Sequence, residues 1–154
     1  MIAQCREFLT GNLVLDLSVF AWFVAQVLKF LINLGVHKIM DIKLLLSSGG
    51  MPSSHSALVC ACAVSIGRLE GFYSTTFALA SVVALVVMYD ACNVRRAAGE
   101  QARILNYIVE HWEEMSPAVV GRELKELLGH TPLQVLMGAV LGCGIGWFGV
   151  QFFR

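Results

Sequence analysis

Apolar residues run from about Leu13 to Leu34, interrupted by Asp16, Gln26, Lys29 and Asn33. A bilayer core needs roughly 20 residues of helix to cross it, so this pattern predicts a membrane span. Asp16 lies near one end, and Lys29, about a turn from the other, is expected to snorkel to the interface. A polar loop follows from Gly35 to Met51. A second apolar helix is expected from near Ser54 to about Ile66. It is short for a span, and so tilted, re-entrant or buried among its neighbours. Gly67–Gly71 reads as a tight turn. Phe72–Tyr89 carries no charge and is rich in Val and Ala, a transmembrane helix by pattern. Beyond it, Ala97, Ile104, Leu105, Ile108 and Trp112 recur at helical spacing, with charges mainly on other faces, which predicts an amphipathic helix. Ser116-Pro117 opens a short helix to about Leu128, and Thr131-Pro132 opens a last apolar helix from about Leu133 to Phe148. Gly138 and Gly142 in that helix permit close contact, within one chain or between two.

Composition agrees with the pattern. The chain is 57% hydrophobic and 14% charged, where a soluble domain carries about a quarter charged residues. The expected fold is all-α: a single integral membrane domain over 1–154, with about four apolar helices plus an amphipathic helical insertion. Zero formal net charge gives nucleic-acid binding no electrostatic support. Cys60 and Cys62 lack zinc-ligand spacing, and Cys5, Cys92 and Cys143 are scattered. The cysteines are therefore expected to be small buried residues rather than a disulfide or metal framework. No cleavable signal peptide is expected, because Arg6 and Glu7 precede only a short apolar run. If the spans alternate, Lys38, Lys43, Arg95, Arg96, Arg103, Arg122 and Lys125 share one face, against Arg6, Arg68 and Arg154 on the other. The richer face is expected to be cytoplasmic or its organellar equivalent.

Candidate chemistry collects on that face. In Gly49–Ala57, G-G-M-P-S-S-H-S-A, glycines and Pro52 shape a turn, and Ser53 and Ser54 suit a helix start. Free backbone N–H groups and the positive end of a helix dipole suit an anion there. His55 follows, able to move a proton near neutral pH. Lys43, Arg95, Arg96 and His130 also fall at helix ends on this side. Fixed cations, a helix N-terminus and two histidines together suit a phosphate ester, with one imidazole as nucleophile and the other as proton donor. His37 and His111 are expected to be solvated or interfacial, and the terminal Trp and Phe residues to be membrane anchors or packing.

These motifs resemble the divergent branch of the type-2 phosphatidic acid phosphatase superfamily, which also includes vanadium-dependent haloperoxidases. Three long stretches carry the resemblance: G-G-M-P-S-S-H-S-A at Gly49–Ala57, Y-D-A-C-N-V-R-R-A-A-G-E-Q at Tyr89–Gln101 and L-G-H-T-P at Leu128–Pro132. The resemblance implies that His130 forms a phosphohistidine and that His55 protonates the leaving group and later activates water. It implies that Lys43 and Arg95 or Arg96 bind phosphate oxygens, helped by the backbone near Ser53 and Ser54. No metal or other cofactor is implied.

The sequence departs from the superfamily pattern in three places. Ser54 replaces a Gly. An amphipathic insertion separates Arg96 from His130, which are normally close. Gln134 stands where an acid is expected to hold the nucleophilic His. A neutral amide orients imidazole but stabilises imidazolium less than a carboxylate does, and Asp90 or Glu100 is a candidate to substitute in space. Two functions are therefore expected in order: a membrane phosphatase acting on a lipid phosphate, and a membrane phosphate-binding or scaffold protein with weak or lost turnover. Because four apolar helices are few to enclose such a site, a homodimer is expected.

Overall fold

The computed structural model describes residues 9–37, 50–111 and 130–153. Five helices account for most of them: α1 (Leu13–His37), α2 (Ser54–Glu70), α3 (Thr75–Cys92), α4 (Val94–His111) and α5 (Pro132–Phe153). No strand occurs among the described residues. Three stretches are long and apolar enough to cross a membrane: Leu13–Gly35, Thr75–Ile108 and Pro132–Phe153. The all-α membrane bundle is thus the observed fold, with four apolar helices and the amphipathic α4.

At the start of α1, the Asn12 side chain accepts from Leu15 N–H at 3.1 Å. Asp16 is buried yet well satisfied, accepting from Leu9 N–H, Thr10 N–H and the Thr10 hydroxyl at 2.9, 3.2 and 2.7 Å. An acidic group in the first turn also opposes the helix dipole favourably.

The 17 residues of α2 form the centre, packing against α1, α3 and α5, most extensively against α5. Its buried face is made of Ser54, Ser56, Ala57, Cys60, Ala61, Ala63, Ser65, Ile66 and Gly67. Small residues let helix backbones approach where lipid offers no hydrophobic drive between helices. Of the alternatives for this short apolar segment, burial among its neighbours is the one realised.

The α2–α5 contact is made through glycine. A Cβ on Gly138 would run into the Ser53 carbonyl, one on Gly142 into the Ala57 carbonyl, and one on Gly146 would lie 2.7 Å from the Ala61 carbonyl. The glycine stripe is thus used inside the chain, and a homodimer would need another surface. Gly67 is helical, so the expected Gly67–Gly71 turn is corrected to a helix end, with Gly71 alone as the C-cap at φ +98°. The helix continues because Gly67 makes room for two rings: a Cβ there would meet Phe72 at 2.6 Å and Phe77 at 3.0 Å.

Packing fixes the direction of each helix. Leu13 and Leu17 of α1 meet Val150 and Phe153 of α5 and Leu69 of α2. Ala21 and Ala25 meet Ala57 and Ala61, with Leu141 and Ile145 beside them. The helices therefore alternate, and one end of the bundle collects the last turns of α1 and α3 and the first turns of α2 and α5. At the opposite end the Arg68 guanidinium lies 4.2 Å over the Trp147 ring. The described cysteines are free thiols. Cys60 is buried as expected, whereas Cys143 on α5, beside it, is exposed.

Candidate functional site

Three chain segments are tied together at the collecting end by backbone hydrogen bonds. Ser53 N–H donates to the Gln134 carbonyl of α5 at 2.9 Å. The approach is possible because Gly138, one turn further on, has no side chain to keep the Ser53 backbone away. His130 N–H donates to the Ala91 carbonyl of α3 at 3.1 Å. Ala91 is in the last turn of α3, where carbonyls lack intrahelical partners, so this bond satisfies a group the helix leaves open.

Ser53 is the N-cap of α2, with φ −69° and ψ 115°. Its hydroxyl accepts from Ser56 N–H at 3.4 Å and from the Ser56 hydroxyl at 3.0 Å. Ser53, Ser54 and Ser56 are all buried, whereas His55, in the first turn of α2, is exposed. A polar, buried helix start is costly to build unless its groups are satisfied.

His130 is 2% exposed. Its Nδ1 lies 3.2 Å from Gln134 Oε1, and the same Oε1 accepts from Thr131 N–H at 3.0 Å. Gln134 N–H in turn points to the Thr131 hydroxyl at 3.4 Å. Thr131 and Gln134 thus form a reciprocal capping box at the start of α5. Because a backbone N–H can donate only to the oxygen of the amide, the atom facing the imidazole is the oxygen. Nδ1 must then carry a proton, which leaves Nε2 as the nitrogen that bears the lone pair whenever the ring is neutral. The residue standing where an acid was expected therefore still sets the tautomer.

The remaining expected residues fall as follows. Asp90 is half-buried in the last turn of α3, directly before the Ala91 carbonyl that holds His130. Arg95 and Arg96 belong to the first turns of α4, beginning two residues after α3 ends; their side chains, like Lys43, lie outside the described residues. The His130 backbone is bonded to Ala91, at the end of the helix that precedes the two arginines along the chain. The expected helix from Ser116 to Leu128 also lies outside the described residues. Among the described residues, no group of three His, Cys, Asp or Glu side chains could hold a metal ion.

Residues 10–145 match the Divergent PAP2 family. The chain belongs to this family. A relative from Bacillus subtilis (strain 168), the "Uncharacterized membrane protein YuiD", is 38% identical over 146 residues, covering 88% of this chain and 92% of the relative. No solved structure matches the chain. The chain is thus a PAP2-related membrane protein, and of its motif residues Ser53, Ser54, His55, Asp90 and His130 lie in helix ends at the collecting end.

Two buried polar residues of α1 depart from the sequence reading. Lys29, expected to snorkel, is only 2% exposed, and Gln26, one turn earlier, is 7% exposed. Their signal was the four-residue spacing Ala21, Ala25, Lys29, which continues the buried stripe of α1. The T-x-x-Q spacing of Thr131 and Gln134 is the local signature of the capping box found at the start of α5.

Proposed function

We propose that this protein is an integral membrane phosphatase that releases phosphate from a lipid phosphate through a phosphohistidine at His130, without a metal ion. The observation that carries the reading is the buried imidazole of His130, held through Nδ1 by an amide oxygen so that Nε2 is the nucleophile. The Nε2 lone pair attacks phosphorus, and the bond from phosphorus to the lipid oxygen breaks. His55 gives its proton to the leaving oxygen. Water then attacks the phosphohistidine while His55 takes a proton from it, the P–N bond breaks, and inorganic phosphate leaves. The N-terminus of α2, Lys43 and Arg95 or Arg96 stabilise charge on the equatorial oxygens.

Phosphatidate, phosphatidylglycerophosphate and polyprenyl phosphates are all suitable substrates, with the headgroup at the bundle mouth and the tail in lipid. The excess of Lys and Arg at this end supports a cytoplasmic placement of the mouth. The test is phosphate release from such a panel by purified protein in EDTA, with orthovanadate as inhibitor. Release that vanadate suppresses is expected.

Gln134 favours a second reading, a phosphate-binding or scaffold protein with little turnover. Vanadate binding without phosphate release from any member of the panel would decide for it. The same residue gives a direct prediction. Gln134→Glu keeps both accepted hydrogen bonds and adds a charge that stabilises the imidazolium, so turnover is expected to rise. An unchanged or lower rate, measured at saturating substrate, would show that another group already supplies that charge.

A further inference from the structure

The stripe that buries α1 ends on a cation. Ala21 and Ala25 pack against Ala61 and Ala57 of antiparallel α2. Four residues further along each helix this register brings Lys29 to the level of Ser53, the N-cap of α2. The aliphatic stem of Lys29 lies along Gly50: a Cβ there would meet Lys29 Cγ, Cδ and Cε at 3.1, 3.2 and 3.8 Å. Gly50, at φ +93°, bends the loop around that stem.

A snorkelling lysine keeps its ammonium in water. This one is withdrawn from it, at 2% exposed. Withdrawing an ammonium from solvent inside an apolar bundle is costly, and ionisable groups kept there belong as a rule to a working site. Other polar groups withdrawn from solvent are Gln26 on the same helix and Ser53, Ser54 and Ser56 at the start of α2, the end of the bundle to which Gly50 leads.

We propose that Lys29 is a phosphate-binding residue of this site, its ammonium contacting an oxygen of the bound phosphate from below the Gly50–Ser53 turn. The proposal rests on the phosphate-site reading of the preceding section. Lys29 thereby joins the loop cations as a fixed charge supplied by a rigid helix. A side chain whose stem is clamped loses less freedom on binding than one on a surface loop.

The test uses the full chain in lipid nanodiscs, with orthovanadate as probe. Lys29→Met is expected to weaken vanadate binding by about tenfold or more, as loss of a hydrogen bond from a charged donor does. Lys29→Arg is expected to recover most of that loss. A purely structural clamp on Gly50 would instead lower the melting temperature and leave the vanadate affinity of the folded fraction unchanged. Wild-type affinity in folded Lys29→Met overturns the proposal, as does a wild type that binds no vanadate. Should Lys29→Met fail to fold, a vanadate-bound structure of the wild type decides: Lys29 Nζ within hydrogen-bonding distance of a vanadate oxygen upholds the assignment, and Nζ turned away from it ends it. The two readings fail separately. Vanadate binding that depends on Lys29, in a protein that releases no phosphate, upholds this residue and removes the phosphatase. Hydrolysis by the wild type, with vanadate affinity unaltered in Lys29→Met, does the reverse.

Discussion

His130→Ala is expected to reduce phosphate release to background while leaving the protein folded. The buried ring is the only part of His130 removed. The backbone N–H that donates to the Ala91 carbonyl remains, and so does the Thr131–Gln134 capping box at the start of α5. The bundle therefore keeps its connections while the proposed nucleophile is gone. Loss of a covalent nucleophile lowers turnover on the order of 10⁴-fold or more, since only binding and charge stabilisation are left. Phosphate release from a lipid phosphate in EDTA, paired with a melting curve of the variant, measures both halves of the prediction. A folded variant with wild-type turnover would remove His130 from the nucleophile's role.

The largest loss of stability is expected from a single added methyl group. Gly142→Ala places a Cβ against the Ala57 backbone carbonyl, which cannot rotate away as a side chain would. The helices must separate, at a cost of about 2–3 kcal/mol, the upper part of the usual range for overpacking. Gly144 is the control on the same helix, because a Cβ there meets nothing within 4 Å. Gly144→Ala is expected to be neutral or to stabilise by roughly 0.5–1 kcal/mol, the usual gain from replacing glycine in a helix. Midpoints of thermal or detergent-induced unfolding compare the two variants directly. Equal midpoints would mean that the α2–α5 backbone contact is not what holds the pair together.

Local pattern carried most of the fold. Apolar runs marked α1, α3 and α5, and the caps at Ser53 and Thr131 marked two helix starts, because both signals depend on residues within a few positions of each other. Where tertiary contact decided, pattern was insufficient. Gly67 read as part of a turn, but Phe72 and Phe77 fold back over it and the helix runs on to Glu70. Lys29 near the end of a span read as an interfacial anchor, since nothing local says which way its stripe faces. Its burial depends on α2 and Gly50, both distant in sequence.

The site was legible as motifs and illegible as an arrangement. P-S-S-H and L-G-H-T-P announced histidines at helix starts, yet only the Ser53–Gln134 and His130–Ala91 backbone bonds show which helix ends meet. Gln134 illustrates the difference. Compared with an expected acid it was a deficiency. Compared with its actual neighbours it accepts from two donors at once, one of which fixes the protonated nitrogen of the imidazole.

The bond from His130 to Ala91 also closes a circuit. The end of α3 and the residue just before α5 are fastened to each other, so both ends of the connection between them are held at one place. A connection pinned in this way can lengthen or shorten without displacing the histidine at its far end, because the entropy of closing it rises only slowly with its length.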